Sequence, residues 1–463
     1  VIFMDAERYL KMIEKNVKYG EIRLMNLKVT SFVMKNGILS GIEKTEEQGI
    51  AIRVLDKNFS FVSTSKIDDD NIKKAIEKAL KYAKSGEKKD IKLSEEEIIK
   101  DSWSVPQIKN IDDFSVEEKV SILNNIENTL VKENVPMRFQ SLREKIEDIE
   151  YYNTEGTEIK GHKPNIFYFY MIGVIEDGNF EQGSQEFGKS GGYEAFDEWN
   201  LESAISEESR KLKIIAKSKK SPEGKMDLIV GPEVSGIVAH ESSGHPSESD
   251  RIVGREAAQA GESFIKTGMI GERVGSDVVS VIDDPSIEGS FGYYKYDFEG
   301  VRARKRYLYK NGKINEFLLN REFAGFLGLK SNAAARSSWW DKEPIVRMST
   351  TYIEPGDHSF DELIEDVKFG IFMNSFTEWN IDDIRYNEKY IGREAYLIEN
   401  GKIKEPVKRP VLEITTPGFY GSVDAVSKDL KFFAGTCGKG DPMQGVDVWM
   451  GGPFARLRNV YLR

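Results

Sequence analysis

Cysteine is nearly absent from this chain: one residue, Cys437, stands in 463. An internal disulfide is therefore excluded, and an unpaired thiol suits a reducing compartment. Histidine is almost as scarce, with four in all. No apolar run approaches the ~20 residues that a helix needs to cross a bilayer. The longest, Ile166–Ile175, reads as a buried strand. The first residues show none of the charged, apolar and small-residue succession of a secretory signal, so a cytoplasmic protein is expected. Cationic charge is also in deficit, with 66 Lys and Arg against 77 Asp and Glu and a net charge of −11. No basic run stands clear of acidic neighbours, which excludes a duplex nucleic-acid binder needing a clustered cationic face.

What is present suits a soluble globular protein: 39% of residues are hydrophobic and 31% charged. The length exceeds what one compact core holds, which predicts two domains, 1–220 and 221–463, the first of them divisible near 87–114. Ala6, Tyr9, Leu10, Ile13 and Val17 lie on one helical stripe, with Gly20 as its stop. Asn36-Gly37 marks a tight turn between strand-like runs, and Ile72, Ala75, Ile76, Ala79, Leu80 and Ala83 mark a second helix ending near Gly86. The segment 87–113 is charged and aperiodic, a linker or long excursion. Ser115 and Glu118 form a capping box for a third helix, strands turn at Asn153–Gly156, and Asn200 is placed to cap a helix through Ile215. Helix, antiparallel strands and helix thus occur twice before residue 220. The basic stretch Lys217–Lys225 is the expected boundary. Beyond it, Asn311-Gly312 and Asn400-Gly401 sit in matching hairpin contexts. The prediction is an α+β fold: helices and antiparallel strands first, then a part rich in antiparallel sheet that carries a metal-binding helix.

The chemistry concentrates in six residues. After the strand Met226–Val230, Gly231-Pro232 opens a helix whose apolar face, Val234, Ile237 and Val238, runs straight into His240-Glu241-Ser242-Ser243-Gly244-His245. Half of the histidines in the chain bracket this window. A spacing of five leaves two side chains roughly 140° apart on an ideal helix, too far to share an ion. A π-type widening absorbs the extra residue; Gly244 permits it, and Pro246 removes the amide that would continue the helix. Catalytic zinc takes three protein ligands and an open position. Candidates for the third are Cys437, Glu248, Asp250, His162 and His358. Cys437 is preferred, because Gly435-Thr436-Cys437-Gly438-Lys439-Gly440 reads as a glycine-flanked loop whose lysine would favour the thiolate. Glu241, beside the first ligand, suits a general base.

At these residues the sequence resembles the TldD/PmbA family of metallopeptidases, in the TldD branch that keeps its active site. The likeness rests on His240–His245, Arg255–Ser263, Val281–Asp284, Tyr396–Ile403 and Gly435–Lys439. It departs from the family pattern at Pro246 and at Ser242-Ser243. The resemblance implies one zinc ion per active subunit, held by His240, His245 and Cys437, with Glu241 catalytic. It further implies unfolded or short peptides as substrates, no nucleic acid and no membrane, and a homodimer or a heterodimer with a TldE/PmbA-like subunit. Two other readings stand beside it: a non-catalytic regulatory subunit and a structural-zinc scaffold. Glu248 is a candidate carboxylate behind the ligands. Arg336, Arg347 and Tyr352 are candidates for substrate or oxyanion contact.

Overall fold

The computed structural model describes residues 6–254 and 262–463. Part of the segment Arg255–Ser263, on which the family likeness partly rests, lies outside the described residues. The fold is α+β, as its sequence pattern predicts.

Before residue 217 the strands make one seven-stranded sheet. The hairpin Tyr19–Lys35 and Ile38–Leu55 turns on Asn36 (φ 45°) and Gly37 (φ 78°), the conformation that Asn-Gly adopts most readily. Phe59–Thr64 extends the hairpin at one edge. Tyr19–Lys35 also pairs along its length with Met137–Asn153, which continues into Glu158–Glu176 and Asn179–Ser190. The two helix–strand–helix units are thus fused by backbone hydrogen bonds. Each keeps its own core. Ile13, Ile52 and Ile76 centre the first, under the helix Asp69–Ala83; Leu123, Tyr168 and Ile205 centre the second, under Val116–Lys132 and Leu201–Ala216.

Several local expectations hold in mechanism as well as position. Ser115 and Glu118 form the reciprocal capping box, and the apolar run Ile166–Ile175 is a strand interior. Others need correction. The first helix ends at Glu14, and Gly20 lies inside the following strand rather than stopping the helix. Asn200 makes no side-chain cap; it is left-handed (φ 45°) between the helices Glu194–Trp199 and Leu201–Ala216 and serves as the corner. The excursion at 87–113 is pinned: Lys100–Ser104 adds a parallel strand beside Glu158–His162, and Arg321 donates to the carbonyl of Ser94.

The remaining strands form a six-stranded and a ten-stranded sheet. Both Asn-Gly hairpins occur, Tyr309 facing Ile314 and Glu399 facing Lys402. Lys219–Lys220, inside the expected boundary, pairs with Val407–Lys408 at the edge of the ten-stranded sheet. Gly224–Val230 lies within that sheet and delivers the chain to the helix Pro232–Ala239, which packs against the six-stranded sheet. Seven of its eight residues are apolar or small and buried, and the eighth, Glu233, is half-buried. Val234, Ile237 and Val238 contribute roughly 1.5–3 kcal/mol each by leaving water. Gly236 is required by a close approach: a Cβ there would lie 2.8 Å from the amide nitrogen of Gly451.

Candidate metal centre

The helix with proline at its first position ends at Ala239 and passes directly into a π turn, His240–Gly244. The His245 amide donates to the His240 carbonyl, an i to i+5 bond that brings the two imidazoles to the same side. Their ring centroids are 5.0 Å apart at 85°. His245 and Pro246 then open a 3-10 turn. Gly244 has ordinary right-handed angles, φ −64° and ψ −63°, so conformational freedom is not why glycine stands there. Space is the reason: a Cβ would fall 1.7 Å from Met348 Sδ. The two serines fasten the turn. Ser242 donates to Glu388, which also accepts from Tyr390 at 2.8 Å, while Ser243 and Tyr420 hydroxyls meet at 2.6 Å and Tyr309 donates to the Ser242 carbonyl at 3.0 Å. Burial pushes the Glu388 carboxyl up to about 7.

Cys437 comes from the far end of the chain. The expected glycine loop is in fact the strand Lys431–Lys439, paired with Gln444–Gly452, and Cys437 sits opposite Val446. Its Sγ lies 3.4 Å from His245 Nε2, and one ligand atom from each of His240, His245 and Cys437 falls within 4.8 Å of the others. All three are buried. Burial alone would raise the Cys437 thiol, but the charges of His245, His240 and Arg347 outweigh it and hold the thiol well below its ordinary range. Lys439 is turned elsewhere, with Nζ 2.7 and 2.8 Å from the Asp250 oxygens and 3.2 Å from Glu248. Arg347 donates to the Cys437 carbonyl and fixes the strand behind the thiol.

Glu248 explains the orientation of His245. Its Oε2 lies 3.0 Å from His245 Nδ1 and accepts from Arg251 Nε at 2.6 Å, leaving Nε2 toward the sulfur. Burial would raise this carboxyl, yet Lys439, His245 and Arg251 hold it far below the usual carboxylate range. A carboxylate behind a ligating imidazole is a common support for a metal. Among the described residues, His240 Nδ1 is buried with no hydrogen-bond partner. Two imidazoles and a thiolate, one imidazole already oriented and the other carrying an unpartnered nitrogen, fit zinc.

The three donors line one side of a cleft of about 420 Å³, together with Glu241, Arg385, Glu186 and Glu233. Its other walls come from Gln182–Glu186, Phe376, Trp379 and Phe433–Gly438. Glu241 accepts from Arg385 Nη1 at 2.6 Å. Burial lifts Glu233 to about 7. Of the other expected residues, Arg336 spans the carbonyls of Met348 and Asp447, and Tyr352 packs on Phe432. Neither lines the cleft. His162 pairs with Asp148 on the seven-stranded sheet, and His358 bridges to Ser427. Arg385, Glu388, Tyr309 and Tyr420 were not legible as site residues; each arrives from a strand or turn far along the chain with no local motif.

Two histidines and a thiol gathered beside a carboxylate in an open cleft have the form of a metal-dependent hydrolase centre. Comparison with known proteins assigns the family. The PmbA/TldA metallopeptidase C-terminal domain model matches residues 223–461, domain 1 matches 20–83, and the central domain matches 109–217. The chain belongs to the PmbA/TldD family of metallopeptidases. A metalloprotease of Methanocaldococcus jannaschii is 33% identical over 98% of each chain, and a zinc metalloprotease TldD homolog of Saccharolobus solfataricus is 25% identical over 98% of each. Among solved structures, TldE of Thermococcus kodakarensis is similar at TM-score 0.75 and 17% identity, covering 99% of both chains. A Thermotoga maritima protein described as a candidate modulator of a DNA gyrase is similar at TM-score 0.80 and 18% identity, again covering 99% of both.

Proposed function

We propose that this chain is a zinc-dependent peptidase of the HExxxH type that hydrolyses unfolded or short peptides, with one zinc held by His240, His245 and Cys437. The observation that carries the reading is the convergence of those three ligand atoms within 4.8 Å beside Glu241 in an accessible cleft. Bound there, zinc supplies a Lewis acid that polarises a carbonyl and acidifies water. Glu241 takes a proton at its carboxylate and returns it to the leaving amine nitrogen. Glu248 keeps the proton of His245 on Nδ1, so that Nε2 stays a donor of electrons. The strand Lys431–Lys439 ends the six-stranded sheet, and an extended peptide lying along the cleft wall would be gripped through backbone groups with little demand on sequence.

In this reading residues 221–463 carry the chemistry, while 1–220 enclose the cleft and provide the pairing surface. The likeness to TldE supports assembly with a TldE/PmbA-like subunit or with a second copy. A cytoplasmic setting agrees with the lone thiol, and among the described residues no helix is long and apolar enough to cross a membrane. Intact ligands and Glu241 weigh against a purely regulatory subunit, and a closed structural zinc would leave Glu241 without a task.

Metal analysis and digestion of a denatured polypeptide test the proposal. Glu241→Ala should retain zinc and lose cleavage; His240→Ala and Cys437→Ala should lose both. Unchanged cleavage in Glu241→Ala would refute the assignment of the base, and full zinc content in Cys437→Ala would refute the ligand set.

A further inference from the structure

Polarised peptide carbonyls need a hydrogen-bond donor as well as a metal, and the sequence-level candidates are engaged elsewhere: Arg336 and Arg347 hold backbone carbonyls, and Tyr352 packs on Phe432. Among the described residues two permanently cationic side chains line the cleft, Arg385 and Arg393. Arg393 is tied down. It donates to the Ser184 carbonyl at 3.0 Å and lies 3.5 Å from Glu208 and 3.6 Å from Glu233.

Arg385 is different. It is 8% exposed, its Nη1 reaches Glu241, and its buried Nε has no hydrogen-bond partner among the described residues. It stands at φ 65°, a left-handed backbone that costs a non-glycine residue energy and persists only where surroundings enforce it. The enforcement is visible. The Arg385 amide donates to the Asp382 carbonyl at 3.0 Å, and its own carbonyl accepts from Thr416 Oγ1 at 2.9 Å. The turn between Phe376–Ile381 and Asn387–Gly392 thereby aims a guanidinium at the residue next to the first ligand.

Resting on the peptidase reading, we infer that Arg385 binds the carbonyl oxygen of the scissile peptide and stabilises the negative charge that develops on it. In the free protein the guanidinium is held by Glu241. When a peptide enters, the carbonyl oxygen shares the guanidinium and Glu241 is released to accept the proton of the attacking water. No proton leaves Arg385, since a guanidinium stays charged throughout.

Arg385→Ala and Arg385→Lys are compared with the parent for zinc content, kcat and KM on a peptide, and binding of a peptidyl phosphonamidate, a tetrahedral anionic analogue. Zinc content should be unchanged, KM should move little, and kcat should fall roughly 10²- to 10³-fold, as for loss of one oxyanion donor. Lysine should recover only part, and added guanidinium should partly rescue the alanine variant. Binding to zinc-free protein supplies a readout independent of turnover. In a Glu241→Ala background Arg385→Ala should still weaken binding of the phosphonamidate to the zinc-free protein; unchanged affinity there would mean that Arg385 only orients Glu241 and would overturn the inference. A rise in KM with kcat intact would overturn it as well. Failure of the parent protein to cleave any peptide would instead refute the peptidase reading, while the binding comparison would still decide the role of Arg385.

Discussion

Replacing Gly244 by alanine sets two physical effects of opposite sign against each other. Backbone angles at this position are right-handed helical, so alanine fits the conformation and lowers the entropy cost, a gain of up to about 1 kcal/mol. Its methyl, however, would lie 1.7 Å from Met348 Sδ, 3.0 Å from Cγ and 3.2 Å from Cε. Carbon contacts are comfortable near 3.5–4.0 Å, so roughly 2 Å of displacement is needed. Met348 is wholly buried and its carbonyl is held by Arg336 at 2.6 Å, which leaves the sulfur or the π turn to move. Overpacking of this kind costs about 1–3 kcal/mol and should win. Urea unfolding of the metal-free protein should therefore show a net loss, and zinc affinity should fall because the turn spaces His240 from His245. Met348→Ala, which removes the obstructing sulfur, should abolish or reverse the cost of Gly244→Ala. Equal costs in the two backgrounds, within about 0.5 kcal/mol, would show that the clash is not what requires glycine.

Glu248→Gln should lower zinc affinity about 10- to 100-fold, read by competition with a chelator, because His245 loses its orienting carboxylate. The same change leaves Arg251 beside a neutral amide while Lys439 keeps Asp250, and should destabilise the fold by roughly 1–3 kcal/mol in urea unfolding. Asp447 should contribute to acid sensitivity, since burial would raise its carboxyl but Lys145, Arg143 and Lys163 hold it below its ordinary value. A depressed folded pKa means that its stabilisation is complete above the unfolded carboxylate value, near 3.9, and is lost as pH falls below that toward the folded value. Urea midpoints measured from pH 6 down to 2 should drop less steeply in Asp447→Asn than in the parent; parallel profiles would remove Asp447 from the account.

The residues of the candidate metal centre were legible because rare residues cluster: two of four histidines in one window, and a lone cysteine. Even the π turn could be anticipated from the five-residue spacing with Gly244 and Pro246, although the reason for glycine was misjudged, since a contact with Met348 is invisible in the sequence. Glycines around Cys437 suggested a loop where the chain forms a strand, because pairing with Gln444–Gly452 overrides local propensity. Arg385 could not be read at all, since it meets Glu241 across 144 residues from a turn with no motif. Fusion of the two early units escaped notice for a similar reason: alternation of apolar residues shows which face of a strand is buried, not which neighbour it pairs with.

Cys437, the proposed sulfur ligand, follows His245 by 192 residues and sits in the hairpin of Lys431–Lys439 and Gln444–Gly452. During synthesis the histidine pair therefore emerges long before its third partner, and two imidazoles alone grip an ion far more weakly than the completed set. In the proposed zinc site, a chain broken off before residue 437 would lack the thiolate. If the centre cuts peptides as proposed, that capacity would be withheld until Cys437 has been made, so that shorter nascent fragments could not digest their neighbours or themselves.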